Sequence, residues 1–169
     1  MATISIAAER KSLPILRPTL IGGLLVGTLG TIDWAIFFLA AMHFQPEATF
    51  QYIASALLGP SAFAGGYTTA LVGLLIHFGI SFVVAGVFVL AASQLAFVRR
   101  TVFVCGLIYG AAVNMFMSTL VLPFTAAPKM QVTTLLIVHG IVADALFVGL
   151  TLAIIVWRES RANAARAAA

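Results

Sequence analysis

Five polar side chains set within long apolar blocks are the ones placed to do chemistry: Asp33, His77, Asn114, His139 and Asp144. An ionisable group in hydrocarbon costs about 3 kcal/mol on insertion scales, so it turns toward a bundle interior or water and marks a place to look for function. A carboxylate such as Asp33 in that setting can relay a proton or couple an ion. His77 and His139 sit about 15 and about 10 Å along helices that descend from one surface, the disposition with which two imidazoles grip the iron of a b-type haem from opposite sides. With a carboxylate they would instead suit a transition metal. Ser81, one turn beyond His77, is placed to orient it. The structural alternative is a set of hydrogen bonds that fixes helix register, with Asp33 satisfied by a His or by Asn114. Asp144 follows His139 by five residues, about 140° around a helix, so the two form no pair on one face and Asp144 is expected to serve packing or to contact another helix or subunit.

The elements that must position these groups follow from composition. Of 169 residues, 62% are apolar and 8% charged, against about a quarter charged in soluble domains, which makes this a membrane protein. Blocks of about 20 apolar residues, each long enough to cross the bilayer, run over 20–42, 67–92, 101–122 and 132–157. They define a four-span domain over 19–157, preceded by an amphipathic segment (1–18) and followed by a basic tail (158–169). The first block is too long for a signal peptide and is read as retained. Arg10, Lys11, Arg17, Arg99, Arg100, Arg158, Arg161 and Arg166 fall on one side of the four-span arrangement and only Lys129 on the other, which places both termini in the cytoplasm. The basic charge belongs to these block edges, so nucleic-acid binding is not expected. A single cysteine, Cys105, excludes an internal disulfide and a cysteine-only metal centre.

The spacing of Phe50, Ile53, Leu57 and Leu58 after Pro46 predicts a short interfacial helix over 47–58, either a cap on the bundle or a lid. Two stripes of small residues, Gly23 with Gly27 and Gly106 with Gly110, continue through Thr31 and Asn114 and are expected packing seams, since close backbone approach drives helix association in lipid. Their likeness, and the early histidines of spans two and four, suggest two parallel-related helical hairpins. The fold expected is therefore all-α, an integral membrane four-helix bundle.

The chain carries no GxSxG, Walker A, HExxH or CxxC motif, so no enzymatic site is assigned. Gly23-x3-Gly27-x5-Asp33-Trp34, Gln51–Gly59 followed by Ala62–Gly66, Leu75-Ile-His-Phe78, Gly106-Leu-Ile-Tyr-Gly110 and Val121-Leu-Pro-Phe124 together resemble a group of small, uncharacterised four-span bacterial inner-membrane proteins. That resemblance implies inner-membrane residence and four spans, and no residue roles. The first functional expectation is a non-enzymatic accessory or interaction subunit, without a cofactor, meeting a membrane-complex partner or a second copy. A small oligomeric transporter or proton conductor using the intramembrane Asp and His residues is the alternative, and a haem protein ligated by His77 and His139 the third.

Overall fold

A computed structural model describes residues 14–129 and 131–168, the side chains of Met42, Ala167 and Ala168 excepted; most of the expected amino-terminal segment lies outside the described residues. The fold is all-α, as expected. Four helical stretches are long and apolar enough to cross a membrane: Leu16–Ala41, Gly66–Gln94, Val102–Phe124 and Thr134–Arg166. Helix is forced on such segments because hydrocarbon offers no partner for a free backbone N–H or C=O.

The first span is α1 (Leu16–Met42). Pro18 is tolerated in its first turn, where the amide would lack a partner in any case. At its far end His43 takes φ 56°, in the left-handed region, and the Phe44 amide reaches back to the Phe38 carbonyl at 3.1 Å. Phe44 then stacks on Phe38 with centroids 6.2 Å apart, supplying the apolar contact that accompanies this type of helix stop. A connector leads into α2 (Pro46–Leu58), which Pro46 opens and Gly59, at φ 66°, closes. A tight turn over Gly59–Ala64 then enters the second span, α3 (Gly66–Gln94).

The short α4 (Ala96–Arg100) turns the chain, and the Arg99 guanidinium donates to the Ala92 and Ser93 carbonyls at 2.8 and 2.9 Å, capping the end of α3. The third span starts as α5 (Val102–Phe116) and widens into a π-helical turn over Met117–Val121 before ending at Phe124. In the fourth, α6 (Thr134–Ala143) begins at an N-cap where the Thr133 hydroxyl accepts from the Leu136 amide at 3.2 Å. It passes through a π-helical segment, Asp144–Leu150, into α7 (Thr151–Ala168).

Two hairpins result, α1 with α3 and α5 with α6–α7, and each closes differently. Gly23 and Gly27 of α1 receive the rings of Phe82 and Phe78; a Cβ on Gly27 would stand 2.5 Å from the Phe78 ring. In the second hairpin backbone meets backbone: a Cβ on Gly106 would lie 2.5 Å from the Gly149 carbonyl oxygen, and one on Gly110 would strike the Asp144 carbonyl. The hairpins join where α1 faces α7, with Gly22 against Leu152 and Ala85. The fourth span is the central one, with 39% of its apolar window buried against 11% for the third.

The apolar core lies in the half of the bundle nearer the termini: Val26, Ala85, Phe88, Val89, Val102, Val148, Leu152, Ala153 and Val156. Tyr109 leans on Phe88 at 5.1 Å and donates its hydroxyl hydrogen to the Val84 carbonyl at 2.8 Å, the satisfaction a phenol needs in that setting. Arg17 approaches Glu159 at 3.7 Å, so the start of α1 and the end of α7 share one end of the bundle.

Candidate functional site

Above that core, toward the loop end, the five polar residues are distributed over all four spans. Asp33 stands on α1, His77 on α3, Asn114 on α5, His139 on α6, and Asp144 where the π-helical segment of the fourth span begins. π-Helical turns inside α-helices recur at functional sites, and this one reorients the backbone next to a carboxylate.

Four of the five converge. The His139 ring approaches the Asp33 carboxylate at 3.3 Å through Nε2, and the Asn114 amide donates to Asp144 Oδ2 at 3.1 Å. The π-helical segment that begins at Asp144 packs against α1, which carries Asp33, so the two pairs lie side by side in one layer. Each carboxyl has one donor from another helix: an imidazole N–H for Asp33, an amide N–H for Asp144. Phe37, one turn above Asp33 on α1, lies face to face with the His139 ring at 3.6 Å. Trp34, Phe38 and Phe44 extend this aromatic stack, Trp34 to Phe38 at 5.2 Å. The layer is not sealed. The His139 side chain retains 27% of its exposure and Asp33 14%.

His77 stands apart from the layer. Its Nε2 is 3.0 Å from the Gly27 carbonyl, and the missing side chain of Gly30 gives the ring room, since a Cβ there would come within 3.1 Å of Cε1. His77 thus meets α1 around Gly27–Gly30 and His139 meets it around Asp33–Phe37, about 10 Å farther along the helix. Both imidazoles commit Nε2 to protein oxygens, and an axial role on iron through that atom would require breaking those bonds. Ser81 does not orient the His77 ring: its hydroxyl donates to the His77 carbonyl at 2.8 Å, the ordinary back-bond of a helical serine. Among the described residues no group of three or more His, Cys, Asp or Glu side chains is gathered closely enough to hold a metal ion.

The two histidines occupy corresponding places in their hairpins, yet both turn to α1. His77 stays within its own hairpin and His139 reaches across to the other. The polar layer therefore breaks the likeness between the hairpins at the point where they are joined. Phe37 also belongs to this layer, and Tyr109 stands below it at the edge of the apolar core. The signal for Phe37 in the sequence was position, since it follows Asp33 by four residues and shares its face. For Tyr109 it was the need of a mid-span hydroxyl for an acceptor.

The closeness of α5 and α6 at this level depends on Gly140, where a Cβ would stand 2.7 Å from Asn114 Nδ2. Gly140→Ala is expected to push Asn114 off Asp144 and to cost about 1 kcal/mol, the scale of one polar contact between membrane helices. Thermal unfolding in detergent of Gly140→Ala, Asn114→Ala and the double variant checks this: the second change should add little once the first is present.

Comparison with protein families, with curated proteins and with solved structures gives no match.

Proposed function

We propose that the protein is a non-enzymatic accessory or interaction subunit of a bacterial inner membrane, with both termini cytoplasmic, whose intramembrane polar layer holds its hairpins in one arrangement. The observation that carries this reading is that the intramembrane polar groups are paired between helices. Asp33 is held by His139, Asp144 by Asn114, and His77 by the Gly27 carbonyl, each from a different helix. In lipid a polar group satisfied by a neighbouring helix specifies which helices meet and in what register. The orientation is supported by charge, with Arg17, Arg99, Arg100, Arg158, Arg161 and Arg166 at the end that carries the termini and Lys129 at the other. A second copy or another membrane protein would meet the apolar outer faces of the spans.

One observation favours a second reading, a proton-conducting or transport role completed at a subunit interface. Asp33 and His139, the pair that joins the hairpins, keep part of their surface open. Proton flux in liposomes under an imposed pH gradient separates the two. The accessory reading predicts dissipation no faster than in protein-free vesicles, and no change in Asp33→Asn. Flux that depends on the protein and is abolished by Asp33→Asn would replace it with the second.

A further inference from the structure

The helix α2 is built inside out for a segment that faces water. Its buried side chains are Thr49, Gln51, Ala54 and Ser55, so three of the four are polar. Gln51 donates to the Gly66 carbonyl at 3.1 Å and to the Glu47 carboxylate at 3.3 Å, Ser55 donates to the Tyr52 carbonyl at 2.6 Å, and the Tyr52 hydroxyl is itself buried. The residues left outside are Leu57, 72% exposed, and Leu58, followed by Phe63 in the next turn. The loop after the third span docks beside this helix, where the Ala126 amide donates to the Ala56 carbonyl at 3.1 Å, and Phe124, two residues earlier, is 85% exposed. No Asp, Glu, Lys or Arg occurs between Glu47 and Arg99, or between Arg100 and Lys129.

Depth agrees with polarity. The bare Cα of Gly73 admits the backbone of α2 at Phe50 and Ala54, and a Cβ there would stand 3.1 Å from the Ala54 nitrogen. Gly73 lies seven residues, about 10 Å, along α3 from Gly66. The helix therefore crosses the flank of a membrane span below its end and does not rest on top of it. Between the two helices runs an open groove of about 310 Å³ lined by Phe50, Ala70, Leu71 and Leu74, with Glu47 and Tyr67 also on its wall. Leu71 and Leu75 carry the exposed apolar surface of α3 onward along the span. The outer surface of α2 is thus continuous with surface that faces hydrocarbon. An apolar patch of this kind, with polar groups turned inward, is the pattern of a lipid contact.

We propose that α2 and the turn over 59–64 lie in the membrane plane within the leaflet at the loop end. Acyl chains cover Leu57, Leu58, Phe63 and Phe124 there and enter the groove between α2 and α3. This rests on membrane residence alone and not on the role proposed for the polar layer.

Spin labels read the environment directly. The protein, with Cys105→Ala as background, carries one label at a time at Leu57→Cys, Phe124→Cys or Lys129→Cys, in phosphatidylcholine nanodiscs holding one copy. Leu58→Cys and Phe63→Cys serve as second reporters of the same face should either first variant fail to fold. The expected result is collision with oxygen several-fold more frequent than with a water-soluble nickel chelate at 57 and 124, and the reverse at 129. Dominant nickel collision at 57 and 124 would overturn the proposal in favour of a water-facing cap. Shielding from both reagents, in preparations holding two copies with dipolar broadening at 57, would overturn it in favour of a second copy.

Discussion

Gly106→Ile is expected to lower the melting temperature in detergent by about 10 °C, corresponding to about 3 kcal/mol for a chain of this size. The reason is where the new side chain must go. A Cβ at 106 already falls 2.5 Å from the Gly149 carbonyl oxygen and 2.8 Å from the Ala153 methyl, and the reciprocal position on Gly149 is equally closed by Gly106. Neither obstacle is the tip of a flexible side chain, so the second hairpin must separate along its length, losing dispersion contacts and the close Cα–H to carbonyl approaches. Gly79→Ile is the matched control. There a Cβ meets nothing within 4 Å and the position is exposed, so the same substitution should change stability by less than about 0.5 kcal/mol. Equal melting of the two variants would mean that α5 and the π-helical segment of the fourth span do not touch as described.

The second large effect is at the joint between hairpins. Asp33→Ala leaves the His139 ring without its acceptor in a region where water cannot replace it, and is expected to cost about 2 kcal/mol. That lies between the roughly 0.6 kcal/mol average for polar pairs between membrane helices and the 3 to 5 kcal/mol of a broken buried ion pair in a soluble core. The intermediate figure reflects a pair that is a single contact between two membrane helices, at 3.3 Å. Asp33→Asn keeps an oxygen facing the ring N–H and should recover more than half of the loss. Chemical denaturation monitored by far-ultraviolet circular dichroism reads both. If Asp33→Asn were as damaging as Asp33→Ala, a charge, and not a hydrogen-bond acceptor, would be what the site requires.

The all-α fold and its four long apolar helices were legible in composition and block length alone, because in hydrocarbon those two quantities leave little else possible. The helix after Pro46 was legible too, from the proline at its start and the glycine at its end. Which of its faces turns inward was not. Phe50, Ile53, Leu57 and Leu58 mark an apolar stripe at helical spacing, which suits an interfacial helix but does not say whether protein or lipid covers the stripe.

Within the site, the residue types pointed to a polar layer, while the partners depended on how the hairpins dock. Asp144 finds Asn114 because Gly106 and Gly110 bring α5 onto the backbone of the fourth span. His139 finds Asp33 only once the second hairpin lies against α1. The π-helical segment over 144–150 left no mark in the residue pattern, with no proline or glycine pair to announce it, whereas the one over 117–121 runs into Pro123, which cannot continue the helical ladder.

The central claim is that the polar layer is a structural tie between hairpins, and a double-mutant cycle on Asp33 and His139 tests it most directly. Wild type, Asp33→Ala, His139→Ala and the double variant would be unfolded in the same detergent and compared. The account predicts a coupling of about 1.5 kcal/mol, near the upper end for polar pairs in membranes, with the double variant little worse than either single one. Additive losses, with a coupling near zero, would contradict it: the two side chains would then be neighbours that do not hold the bundle together.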